Sequence, residues 1–337
     1  MSRIPIGKLP NALLERLLAR YTHGDPRVLV GAAVGEDAAI IDMGDRCLVA
    51  KTDPVTFATD DIGYYAVHVN ANDIACCGAT PKWFLATLLL PERDTTAALA
   101  EAIFAQLAEA CTELSVTLCG GHTEITHGLE RPIVIGQMLG EVEHGHYVTS
   151  AGARVGDALI LTKGIAVEAT AVICRERKES LRGVLGPDAI ARGAAFLRRP
   201  GISVVADARL AAAVGGVHAL HDPTEGGLAT GLLELAQAAG VGLLVEEAAV
   251  PVLPECATLC RHFDLDPLGL IASGALLIAA AHTQAQAMVE HLSAHGVAAS
   301  VIGRVRPASG GLRLRRASGD TVALPRFARD EITRLFE

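Results

Sequence analysis

The residues best placed to do chemistry lie between Val34 and Pro81, where acids are set against glycine turns at three points. Gly35-Glu36-Asp37 comes directly before the apolar run Ala38 to Ile41. Lys51-Thr52-Asp53-Pro54 ends another short run, Cys47 to Ala50. Asn70-Ala71-Asn72-Asp73 sits in a helical segment that Gly78 and Pro81 stop. Three carboxylates at strand ends and on a helix can converge on one hard cation, which takes oxygen ligands and keeps phosphate oxygens and waters. Taken singly, each acid is better explained as a turn or cap residue, so the reading rests on their arrangement.

The spacing predicts elements that would position these acids. Residues 8 to 20 carry Leu13, Leu14, Leu17 and Leu18 on a helical stripe, with Asn11 as the cap. Ala38 to Ile41 and Arg46 to Lys51 read as strands joined by a turn at Gly44-Asp45. From Asp61 to Cys77 the period is helical, with Asn70, Asp73 and Cys77 along one side. An Asp in mid-helix is unfavourable on propensity, so a cation or a lysine is expected to compensate Asp73. Lys82 to Leu90 is apolar enough to lie inside a sheet or at a subunit contact, and Thr95 to Ser115 is an amphipathic helix. Val116 to Cys119 is a strand running into Gly120-Gly121-His122-Thr123-Glu124, where the glycine pair either admits a close backbone approach or turns sharply.

A second acidic turn, Asp222-Pro223-Thr224-Glu225-Gly226-Gly227, leads into a helix from Leu228 to Ala238. The backbone N–H groups at such an end favour an anion. Other strands and helices alternate to the C-terminus, including a helix carrying Glu168 after the Lys163-Gly164 turn, and the domain boundary is placed near residue 150. No repeat period is visible.

Composition narrows the function. The 337 residues suffice for two domains. Half are apolar, 4% are aromatic and the formal net charge is −9 without a basic stripe, which speaks against nucleic acid. No membrane span and no secretory leader are read from the sequence, so a cytoplasmic protein is expected. None of the eight cysteines forms a C-x-x-C pair; Cys256 and Cys260 beside His262 come nearest to a cluster, and on a helix they read as packing residues. Walker, dinucleotide and nucleophile-elbow motifs are absent. Of twelve histidines, His122 alone is kept as a site candidate, against the plainer reading of a polar turn residue.

Read together, VGEDAAIID, KTDPVTFA, NANDIACCGATP, GGHTE and DPTEGGLATGLLELAQAAGVG resemble the aminoimidazole ribonucleotide (AIR) synthetase-related, PurM-like superfamily. It includes the purine enzyme, thiamine-monophosphate kinase, selenophosphate synthetase and the hydrogenase maturation protein HypE. The second half is most similar to HypE, through the DPT-x-GG turn and Leu265-Asp266-Pro267-Leu268. The resemblance implies an α/β (α+β) fold of two domains, residues 1–150 with ATP-binding features and a β-barrel formed on dimerisation, and residues 151–337 as an α/β sandwich. It implies ATP and Mg2+ as cofactors, with Asp37, Asp53, Asp73 and Asp222 as metal ligands and Asp53, Asp222 and His122 as catalytic residues. Gly35, Lys51, Asn70, Gly120, Gly121 and Thr123 would bind the nucleotide. The implied reaction is phosphorylation of a carbonyl, amide or phosphate oxygen of an unknown small molecule or of a maturation partner protein.

Three departures accompany the resemblance. HypE acts on a cysteine at its own C-terminus, whereas this sequence ends Arg334-Leu335-Phe336-Glu337 with Cys260 its last cysteine, so that self-reaction is not expected. His122 stands where several members have an acid, and Ile6-Gly7-Lys8-Leu9-Pro10 replaces the glycine-rich or cysteine-bearing start of others. The alternatives to an enzyme of HypE type are a thiamine-monophosphate kinase-like enzyme and a non-catalytic nucleotide-binding scaffold; the retained acids favour an enzyme.

Overall fold

The computed structural model describes residues 4, 9–33, 35–36, 38–56 and 60–336. Asp37, the first expected metal ligand, lies outside them. Helix α1 (Asn11–Tyr21) is followed by strands β1 (Val28–Val30), β2 (Ala39–Asp42) and β3 (Arg46–Val55). Then come α2 (Ile62–Cys76), β4 (Thr80–Pro91), α3 (Ala97–Glu113), β5 (Thr117–Thr126) and β6 (Ile133–Glu143). The second half runs β7 (Ala158–Thr162), α4 (Val167–Glu176), α5 (Pro187–Ala194), α6 (Val205–Val214), β8 (Val217–His221), α7 (Gly227–Ala239) and β9 (Gly242–Glu246). It closes with α8 (Pro254–Phe263), β10 (Leu277–Ala280), α9 (Ala285–Ala294), β11 (Ala299–Arg306), β12 (Leu312–Arg315) and β13 (Thr321–Ala323).

Among the described residues the strands form two sheets, ordered β1-β2-β3-β6-β4-β5 and β13-β12-β9-β11-β7-β10-β8. The β2–β3 hairpin turns at Gly44-Asp45 as its sequence indicates, with Asp42 opposite Cys47. β4 and β5 are parallel and joined by α3, the crossover that parallel strands need. Thr96 caps α3, its hydroxyl accepting from the Leu99 N–H at 3.1 Å. The first sheet is open: its edge strands β1 and β5 do not pair with each other. At α1 the cap position belongs to Pro10, and Asn11 is the first helical residue, because the fixed φ of proline suits the residue before a first turn.

α2 organises the molecule. Nearly all its residues are buried, as expected of a helix that is apolar on every side. One face lies on β3 and β6, where Gly140 lets Ile74 approach the strand backbone. The opposite face, with Ala75 and Cys76, joins a core made by Ala158, Ile160, Leu220 and Leu276 of the second sheet. Asn72 ties the two halves directly. Its amide donates to the Ile202 carbonyl and its oxygen accepts from the Val204 N–H, both at 2.8 Å. The helix that carries the expected ligands is therefore fixed from both sides.

Candidate functional site

Strand alternation on β3 points Cys47, Val49, Lys51 and Asp53 toward α2. There Lys51 meets the Asp73 that the helix presents: Nζ lies 3.0 Å from the Asp73 carboxylate and 3.8 Å from that of Asp53. Asp73 is 5% exposed. The mid-helix acid thus has the lysine that its position demands, and Lys51 stands between two of the expected ligands. Asp53 remains open, its side chain 43% exposed. One turn further along α2, the Cys76 thiol lies 3.5 Å from the buried carboxylate of Asp222, which follows β8. Asp53, Lys51 and Asp73 thus cluster where β3 meets α2, and Asp222 meets the helix one turn further on, at Cys76. Among the described residues no three His, Cys, Asp or Glu side chains already form a metal-ligand group.

Asn70 is buried on the same helix. Its amide nitrogen donates to the carbonyls of Ala66 (2.8 Å) and Asp53 (3.3 Å). Both partners are acceptors, which fixes the amide orientation. Its oxygen has no hydrogen-bond partner, an expensive state that calls for a donor or a cation. Asn70 lies against Gly136 of β6, where any Cβ would collide with its amide. Register continues this gap: Asp53, Gly136, Ala86 and Gly121 face one another across β3, β6, β4 and β5. The row carries only small side chains between Asp53 and Gly121, about 14 Å or three strand spacings apart, and its middle is covered: Gly136 and Ala86 are buried, with Gly136 against the Asn70 amide and the Phe84 ring. Its two ends, Asp53 and Gly121, are the open parts of the row.

Gly120 and Gly121 do not end a strand. β5 continues through them to Thr126 because β4 pairs with it along its whole length. The pair is glycine for local reasons: Gly121 has φ +144 and a Cβ there would overlap the Ala86 carbonyl oxygen, beside a register shift at Phe84/Leu85. Thr123 shares the Gly121 face, opposite Leu88. His122 points from the other face, its side chain 67% exposed and Nε2 3.6 Å from Glu124. The structure does not bring it to the Asp53 cluster of its own chain. Gly35, with φ +90, sits nearest the Ala238 side chain of α7.

The N-terminus of α7 already holds an anion. The Gly226 N–H donates at 2.7 Å to Asp330, whose other oxygen accepts from the Ile332 N–H at 3.0 Å. Burial raises the Asp330 pKa, and these backbone donors oppose that. Sequence reading found the anion-binding end and missed its occupant, which lies more than a hundred residues further on. It missed Asn72 as the inter-sheet tie for the same reason. Cys256 and Cys260 lie 3.9 Å apart and buried on α8, packed with Cys174, and all eight cysteines are free. No helix among the described residues is long and apolar enough to cross a membrane.

Comparison with known proteins agrees with this architecture. The family model described as AIR synthase related protein, N-terminal domain, matches residues 35–142, and that of the C-terminal domain matches residues 154–314. Carbamoyl dehydratase HypE of Rhodobacter capsulatus is 31% identical over 309 residues, 89% of this chain and 87% of that protein. HypE of Cupriavidus necator is 32% identical over 269 residues, 77% and 73% of the two chains. The fold is shared with HypE in complex with ATP (TM-score 0.72, 24% identity, 95% and 96% covered). It is shared equally with a ThiL protein complexed with AMPPCP and TMP (TM-score 0.71, 20% identity, 89% and 92% covered). The chain belongs to the AIR synthase-related, PurM-like superfamily, in the part of it that holds the HypE proteins.

Proposed function

We propose that this protein is an ATP- and Mg2+-dependent enzyme of HypE type, phosphorylating an amide or carbonyl oxygen of its acceptor. The observation that carries the reading is the cluster of Lys51, Asp53 and Asp73 beside the partnerless oxygen of buried Asn70. Phosphates would meet Lys51 at the open, acidic end of the strand row, beside Asp53. Asp53, Asp73 and Asp222, with Asp37, would hold the metal, which supplies charge neutralisation on the transferring phosphoryl group. Lys51 pairs with Asp73 at 3.0 Å and orients its carboxylate. Asn70 has both amide protons already engaged and a buried oxygen left to accept from a donor or bind a cation. What this chain contributes is positioning and preorganised charge.

The names of the relatives support a carbamoyl group, or a similar amide, as acceptor, presented by a partner protein; a solved HypE–HypF complex shares this fold (TM-score 0.75, 23% identity, 94% and 100% covered). The division of the chain near residue 150 follows the end of the first sheet. The outer face of that sheet carries half-buried Leu48, Leu85, Ile135 and Leu139, with Trp83 37% exposed, and we infer that two copies pair there, closing the open sheets into a barrel and bringing His122 of each toward the other's strand row. A thiamine-monophosphate kinase-like reaction is the second reading, favoured by the shared ThiL fold. ADP release separates them: an S-carbamoylcysteine peptide should stimulate it and thiamine monophosphate should not. Stimulation by thiamine monophosphate alone would reverse the order.

A further inference from the structure

The C-terminal end of α4 and the facing side of α5 enclose a cavity of about 700 Å³ that the reading above leaves unused. Gly186 precedes α5 and Pro187 stands in its first turn. Gly193 brings the helix close to α4, where a Cβ would collide with the Cys174 Sγ. Ala191 and Ala194 of the same helix also line the space and are too small to fill it. Leu185, Pro187 and Ile190 add an apolar wall, with buried Cys174 at the back. Every charged residue of the lining is a cation: Arg175, Lys178 and Arg182. In a chain of net charge −9 that is a local reversal of sign.

We propose that this cavity binds a small organic anion with an apolar body, of the class of medium-chain carboxylates. Its volume is that of a small-molecule site. The apolar body lies against Leu185, Pro187 and Ile190, and the charged end meets the three cations. Each cation has capacity for it. Arg175 donates from Nε to the Ala194 carbonyl at 3.0 Å and from Nη1 to Asp61 at 2.8 Å, which leaves Nη2 of its fork to a ligand. Arg182 pairs with Glu179 at 2.8 Å, but their side chains are 71% and 72% exposed, and such a pair is weak. Lys178 is exposed and has no ion-pair partner among the described residues. An inorganic anion would leave the apolar wall wet, and a neutral apolar molecule would leave the cations without a counter-charge; a ligand with both parts uses both. The cavity lies wholly in the second half, apart from the Lys51 cluster. It touches the first half through Arg175, which holds Asp61 at the N-cap of α2.

The test uses the full chain and anilinonaphthalene sulfonate, an aromatic body with one anionic group whose fluorescence rises in an apolar site. The signal should saturate, and decanoate should displace the probe where decanol does not. Lys178→Glu, a change at an exposed position, should weaken binding of the probe about tenfold. Ala191→Trp, which fills the cavity from an exposed position of α5, should abolish the decanoate-sensitive signal while leaving the urea midpoint unchanged. Decanoate should also raise the unfolding temperature of the wild type and not that of Ala191→Trp, because a ligand stabilises only the fold that binds it. Displacement by decanol as effective as that by decanoate would show that no anion is selected and would overturn the proposal. Probe binding equal in the wild type and in both variants would place the probe elsewhere, on the open first sheet, and would overturn it as well. So would a wild type that binds neither the probe nor decanoate.

Discussion

Lys51 and Asp73 show how one ion pair can be both a structural and a functional commitment. A carboxylate 7% exposed beside an ammonium 3.0 Å away is tolerable only as a pair. Lys51→Met leaves that charge uncompensated and should cost about 3 kcal/mol in urea unfolding; an unchanged midpoint would show that water reaches Asp73. His68, buried on the same helix with its ring tilted against that of Tyr64 at 4.0 Å, makes a different prediction. Burial lowers its pKa from 6.5 to about 3, so its 3.4 Å approach to Glu113 is not an ion pair at neutral pH. Below pH 6.5 the unfolded chain binds a proton that the folded one refuses, and stability falls as pH drops toward 3. Glu168 acts in the opposite sense, because its raised carboxyl stabilises the folded state at low pH and loses that contribution as pH rises through about 7. His68→Phe should flatten the acid limb of stability by about 1.4 kcal/mol per pH unit between pH 6 and 4, read from urea midpoints.

At the scale of elements, the long pairing of β4 with β5 and β6 outweighs the local preference of glycine for turns. Gly120-Gly121 looks like a break within five residues of sequence, but the strand beside it runs from Thr80 to Pro91 and pairs through it. Gly121→Ala must move Ala86 or bend β5, and should lower stability by about 2 kcal/mol while weakening nucleotide binding. An alanine variant of wild-type stability and affinity would remove Gly121 from the site. What the sequence made legible here was whatever acts over a few residues: the Gly44-Asp45 hairpin, the α2 and α3 periods, and the need of Asp73 for a cation. Contacts such as Gly226 with Asp330 and Asn72 with Val204 join residues more than a hundred positions apart, and no local pattern announces them.

On the scale of the whole molecule, the site depends on holding the two sheets against α2. Besides Asn72, the tie is Asp61, which receives Arg175 at 2.8 Å and Arg198 at 3.2 Å from the second half, while Arg198 also covers the Tyr64 ring at 3.7 Å. Asp61→Ala leaves two guanidinium groups without their shared acceptor and should cost about 2 kcal/mol, with the halves unfolding in separate calorimetric transitions; a single transition at the wild-type temperature would show that apolar packing alone suffices. The account as a whole stands on the nucleotide lying between Asp53 and the β5 edge. Its most direct test is calorimetric titration of ATP into the wild type and Asp53→Asn, each with magnesium and with chelator. Saturable binding that needs magnesium and weakens at least tenfold in Asp53→Asn is the predicted result. Binding indifferent to magnesium and to Asp53, or none in the wild type, would contradict it.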